Sequence, residues 1–168
     1  MKYEQLDEFF DYKNQLMEDL LTREEIVSLV AGNIPKGDTK KLVYSQVFPF
    51  EYNPDTIEEG KTFIFCDVDI QKAINKTYLI PALYIWVITH KSKLRLPEGG
   101  VRVDKLCSKI ASAISGSHEY GLGELELFSV KRFAPMTDYM GKVMTFYAKD
   151  FNRLHDPNKS IPENRRRG

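Results

Sequence analysis

The stretch ALYIWVITH (82–90) contains no Lys, Arg, Asp or Glu and is rich in β-branched and aromatic residues. Such a short apolar run, bounded by polar sequence, suits a strand. Successive side chains of a strand point to opposite faces. Here both faces are apolar, so both must be covered, which makes this a central strand of a sheet. Trp86, in its middle, reads as a core residue rather than a ligand-stacking platform.

Working back from it, TFIFCDVDI (62–70) alternates as a second strand. Ile64, Cys66, Val68 and Ile70 share one face, while Phe63, Phe65, Asp67 and Asp69 share the other. Two carboxylates on one face could hold Mg²⁺. A metal-dependent enzyme would need a further acid, lysine or histidine beside them. Lys72, Lys76 and His90 are the nearby candidates, and no motif fixes them. The alternative is that the strand runs out of the core there and turns its outer face to water or to a neighbouring subunit. QKAINKTYLIP (71–81) reads as a wide connection to the central strand.

Working forward, LPEGG (96–100) is a turn, and Val103, Leu106, Cys107, Ile110, Ala113 and Ile114 mark an amphipathic helix stopped by Gly116. Two more strands follow, ELELFSVKRF (124–133) and KVMTFYAKDF (142–151). In the first, Leu125 and Leu127 share a face, and Phe128 and Val130 then take the opposite phase, the mark of a bulge or a switch of burial. At the other end of the chain, Tyr3, Leu6, Phe9, Phe10, Leu16, Met17 and Leu20 recur at helical spacing. Thr22 and Glu25 have the spacing of a capping box for a short second helix, ended by Gly32 and Asn33.

Residues 33–61 hold Pro35, Gly37, Pro49, Pro54 and Gly60 and only one short extended piece, LVYSQVF (42–48). A loop of this length within a compact domain is uncommon and usually carries binding work. Phe48, Phe50 and Tyr52 are large, rigid groups in a proline-bounded segment, which suits a subunit interface. The expected fold is α+β: a mostly antiparallel sheet of about four strands, helices packed on one face, and a long loop after the N-terminal helices. Residues 1–153 form the single domain, with 33–61 as its interaction loop, and 154–168 form a polar tail.

The chain has 168 residues, 24 Lys and Arg against 24 Asp and Glu, 42% hydrophobic and 29% charged residues. That suits one domain with its own core. A zero net charge argues against a protein whose main task is gripping nucleic acid. No apolar run approaches the roughly 20 residues of a membrane span, and the acidic N-terminus lacks a signal core. Cys66 and Cys107 lack zinc-site spacing and read as reduced core residues. His90, His118 and His155 stand apart in sequence. The glycines of GSHEYGLG (116–123) follow a helix instead of preceding one, so they do not make a phosphate loop. No catalytic residue, metal ligand or cofactor is expected. Arg165, Arg166 and Arg167 end the tail with a charge cluster able to touch phosphates or an acidic partner.

The order of these elements resembles the tail terminator (tail completion) family of tailed bacteriophages. The resemblance lies in LLTREEIVSLVAGN before a proline-rich segment, in GKTFIFCDVDI, in ALYIWVITHKSKL followed by a turn and VRVDKLCSKIASAISGS, and in the closing pair LGELELFSVKRF and VMTFYAKDF. It covers roughly residues 10–152. It implies a structural virion protein without enzyme activity, assembled in the host cytoplasm into a typically hexameric ring in the tail or neck. Such a ring caps the tail-tube protein, stops tube growth and docks to the head connector or stopper, with the tail sheath as a further neighbour. On that reading Phe48, Phe50, Tyr52, Asp67, Asp69 and the three terminal arginines are interface candidates, and any nucleic acid contact is incidental. Other small neck proteins, the stopper and the adaptor, have a similar character.

Overall fold

The computed structural model describes residues 4–51, 60–74, 77–121 and 123–151. It is an α+β fold with the N-terminal helices ahead of the sheet. Helix α1 spans Glu4–Leu21, α2 Glu24–Ala31 and α3 Arg102–Ile114. The strands are β1 Val47–Phe48, β2 Thr62–Ala73, β3 Tyr78–His90, β4 Glu126–Met136, β5 Tyr139–Tyr147 and β6 Asp150–Phe151. They form one sheet in the order β1-β2-β3-β5-β4, with β6 pairing the start of β3. The β1–β2 pair is parallel and the others are antiparallel.

The central strand is β3, as its two apolar faces require. On one face Leu83, Ile85 and Val87 join Ile64, Cys66 and Val68 of β2, Met144 and Phe146 of β5, and the stripes of all three helices. On the other face Ile88, with Trp86 packed beside it, joins Phe63 and Phe65 of β2, Phe48 and Tyr139. In α3 the stripe of Val103, Leu106, Cys107, Ile110 and Ile114 is buried. Each aliphatic side chain there contributes about 1.5–3 kcal/mol by leaving water. Tyr120, itself buried, donates a hydrogen bond to Asp19 Oδ2 at 2.5 Å and ties the loop after α3 to the end of α1.

Several local expectations change. Thr22 does not cap α2; its hydroxyl donates to the Asp19 carbonyl, and Arg23 occupies the cap position. The link between the helices is so short that Thr22 is still engaged with the last turn of α1. The segment 71–81 is mostly strand rather than connection, because β2 and β3 pair through Ala73 and Leu79. Pro81 is tolerated there because the β2–β3 register slips between Ile70 and Lys72, and because β3 changes partners beside it, from β6 to β5. The extended piece expected at 42–48 shrinks to β1. Ahead of it a 3₁₀ helix (Lys36–Leu42) and a tight turn intervene, in which the Gln46 N–H donates to the Leu42 carbonyl. The expected change of phase in β4 is a bulge: its register against β5 shifts between Leu127 and Ser129.

Truncating Ile110→Ala should lower the unfolding free energy by about 2–5 kcal/mol, whereas Ser112→Ala on the exposed side of α3 should change it little. Gly141 faces Ile88 across the β3–β5 pair, and a Cβ there would run into the Val87 carbonyl and the Ile88 side chain. Gly141→Ala should therefore destabilise despite being conservative. Urea denaturation of the three variants checks both statements.

Burial pushes the Cys66 thiol up, with Asp67 adding to the effect and Lys13 opposing it. Burial also pushes Cys107 up to about 11, opposed by Lys142. A thiol with a raised folded pKa favours the folded state while it stays protonated. That contribution is whole below the ordinary thiol value of 9.0 and is lost as pH rises through the folded values. Stability should thus fall above about pH 9, and both thiols should resist a disulfide reagent at pH 8 until the protein unfolds.

Candidate interaction surfaces

The register of β2 against β3 divides the helix-free face in two. At one end Phe63 opposes Ile88 and Phe65 opposes Trp86; at the other Asp67 opposes Tyr84 and Asp69 opposes Ala82. The first end is an aromatic cluster. Phe63 and Phe65 stack at 6.1 Å, and Phe48 leans on Phe65 at 5.8 Å. Of the loop aromatics, Phe48 is buried in this cluster at 8% exposure, while Phe50 stays 42% exposed at its rim. Tyr44 stands beside them, 63% exposed and edge-on to Phe48 at 6.4 Å. Its φ of 59° is a left-handed conformation that non-glycine residues seldom adopt. Tyr52 lies outside the described residues.

The second end is polar. β1 reaches only as far as Phe65, and among the described residues no strand pairs with that side of β2 beyond it. Lys13 of α1 pairs with Asp67 Oδ1 at 3.2 Å, and the same oxygen accepts from the Val68 N–H at 2.8 Å. Asp69 is exposed. Tyr84 stacks on Trp86 at 5.7 Å and accepts a hydrogen bond from Gln71 at 2.6 Å. Burial first, then Tyr147 and Asp69, pushes the Tyr84 phenol up. Asp67 thus has an ion-pair partner on α1. Among the described residues no group of three or more His, Cys, Asp or Glu is placed to hold a metal ion.

The other candidates are scattered. His90 Nδ1 and Ser92 Oγ are hydrogen-bonded at 2.7 Å, and the His90 ring meets Tyr139 edge-on at 5.3 Å. His118 lies 3.7 Å from Glu124 at the surface. Arg165, Arg166, Arg167, Lys76 and His155 lie outside the described residues.

A run of exposed apolar side chains on β4 went unread in the sequence. The helices make their main contacts with β2, β3 and β5, and β4 is the outer strand of the sheet beside β5. Leu127 and Val130 of β4, paired to Phe146 and Met144, lie on the helix-side face but remain 42% and 44% exposed. Phe128, the bulge residue, is 65% exposed and leans on Tyr147 at 4.6 Å. Among the described residues no strand pairs with the outer edge of β4. The signal was present in the phase change at Phe128, but burial of a strand depends on how far its neighbours reach.

Comparison with known proteins adds one finding. Curated proteins give no match. The YomW family model matches residues 10–148, from within α1 to the residue after β5, and so takes in the helix layer and the four long strands. This chain belongs to the YomW family, a phage-derived family whose namesake comes from a Bacillus prophage.

Proposed function

We propose that this phage-family protein is a tail terminator: a structural virion protein, acting by surface complementarity and without catalysis, whose ring caps the tail tube and carries the docking surface for the head connector. The observation that carries this reading is β4. It is an 11-residue strand at the end of the sheet, with Leu127, Phe128 and Val130 exposed along it. A long edge of this kind is a liability in a solitary protein, because its unpaired N–H and C=O groups invite another chain. An assembly protein uses it, by adding a partner's strand and burying the apolar side chains beside it.

The strand is also guarded. Lys131, Arg132, Pro135 and the bulge at Phe128 disfavour casual pairing with a like edge. A legitimate partner must meet the bulge in shape and supply acidic groups opposite the cations, so the same features that prevent aggregation select the partner. On this reading the partner is the last ring of tail-tube protein. Phe50 and Tyr44, at the far edge of the sheet, offer a second contact of the kind expected of the loop.

The test replaces Phe128 and Val130 by serine in a phage that depends on this protein. Both side chains are largely exposed, so the folded monomer should persist, as circular dichroism would show. Uncapped tubes should continue to grow, and electron microscopy should find tails of irregular length without heads. Tails of normal length on intact heads would refute the assignment of β4 to tube capping.

A further inference from the structure

A basic cleft of about 490 Å³ lies at the end of the sheet where α2 stops, β2 begins and the chain leaves β3. Lys61, Lys93, Arg95 and Arg102 line it, Val30 and Pro97 give it an apolar wall, and among the described residues no acidic side chain takes part in the lining. Arg102 is fixed there by donating to the carbonyls of Lys93 and Leu29, each at 2.8 Å. Those acceptors orient the guanidinium without neutralising it. Glu98, next to Pro97 in the chain, is held by Lys105 at 2.7 Å. Like charges gathered around a concave, partly apolar wall concentrate a positive potential that a carboxylate-bearing segment would relieve.

The chain is neutral overall, and part of the balancing charge sits on α1. Asp7 and Asp11 are one helical turn apart and exposed, and Phe10, 49% exposed, stands beside them. This surface belongs to the other end of the sheet. Tyr12 donates to Asp150 at 3.4 Å, and Asp150 pairs with Leu79 at the start of β3, whereas the cleft adjoins Thr62 and the turn after His90. β3 spans roughly 40 Å at its 13 residues. One copy therefore cannot seat its own α1 tip in its own cleft.

We propose that the first turns of α1 from one copy dock in the basic cleft of the next. Phe10 anchors against Val30 and Pro97, and Asp7 and Asp11 face Lys93 and Arg95. An aromatic anchor ringed by charges is the usual form of an interface hot spot. Two different surfaces at opposite ends of a subunit make a head-to-tail contact, which closes into a ring when the rotation per step allows. The contact rests on the tail-terminator reading only for that closure, and it leaves β4 free for the tube.

The test uses the full chain and measures mass by sedimentation at several salt concentrations. The wild type should associate, and less so as salt screens the contact. Lys93→Glu with Arg95→Glu, and separately Asp7→Lys with Asp11→Lys, should each be folded and monomeric. Mixed in equal amounts, the two variants should associate again, because each now offers the sign the other lacks. Phe10→Ala should weaken association about tenfold or more. An oligomer indifferent to both reversals would overturn this contact while leaving the ring itself standing. Failure of the mixture to associate, or a wild type that stays monomeric, would overturn it as well. Retention of labelled duplex DNA by a monomeric wild type, lost with the cleft reversal, would assign the cleft to phosphate instead.

Discussion

A strand that is apolar on both faces must be covered twice, and β3 imposes that demand on the whole molecule. One cover is the helix layer, which meets Leu83, Ile85 and Val87. On the other face, among the described residues, Phe48, Phe63, Phe65 and Tyr139 pack around Ile88. The helices make their main contacts with β2, β3 and β5. Among the described residues the outer flank of β4 has no strand beside it, and Leu127, Phe128 and Val130 stay exposed there.

The surfaces differ in the physics by which they would bind. β4 offers backbone edge and apolar area, an interaction that salt hardly screens. The cleft and the α1 tip offer charges on long side chains near solvent, where screening acts within about 10 Å at moderate salt. Assembly steps that use one or the other are separable by ionic strength, with the charged contact the first to loosen.

Much of this architecture was legible because its signals are local and periodic. The two faces of TFIFCDVDI, the stripe of α3 and the phase change at Phe128 each follow from side chains a few residues apart. What was missed depended on partners distant in sequence. Residues 71–81 looked like a connection because of their polar residues and Pro81, yet pairing between Ala73 and Leu79 holds them as strand. The spacing of Thr22 and Glu25 is right for a capping box, but Thr22 turns back to Asp19. Phe48 could not be told from Phe50 by composition; only the position of β1 beside Phe65 buries the first and leaves the second at the rim. The basic cleft draws on positions 61, 93, 95 and 102, which share no local pattern.

The return of β6 to the start of β3 bears on how the chain is made. β3 can pair with β2 as soon as both have left the ribosome, since only four residues of sequence separate them. Its other edge waits for Tyr139–Tyr147 and then for Asp150–Phe151. More than half a hundred residues must be synthesised in that interval, during which an apolar strand presents an unpaired edge to solvent. Translation at about 5–20 residues per second makes this a delay of seconds. The sheet is completed only once β5 and β6 have emerged, and a chaperone that shields nascent β3 until then would raise the yield of this protein.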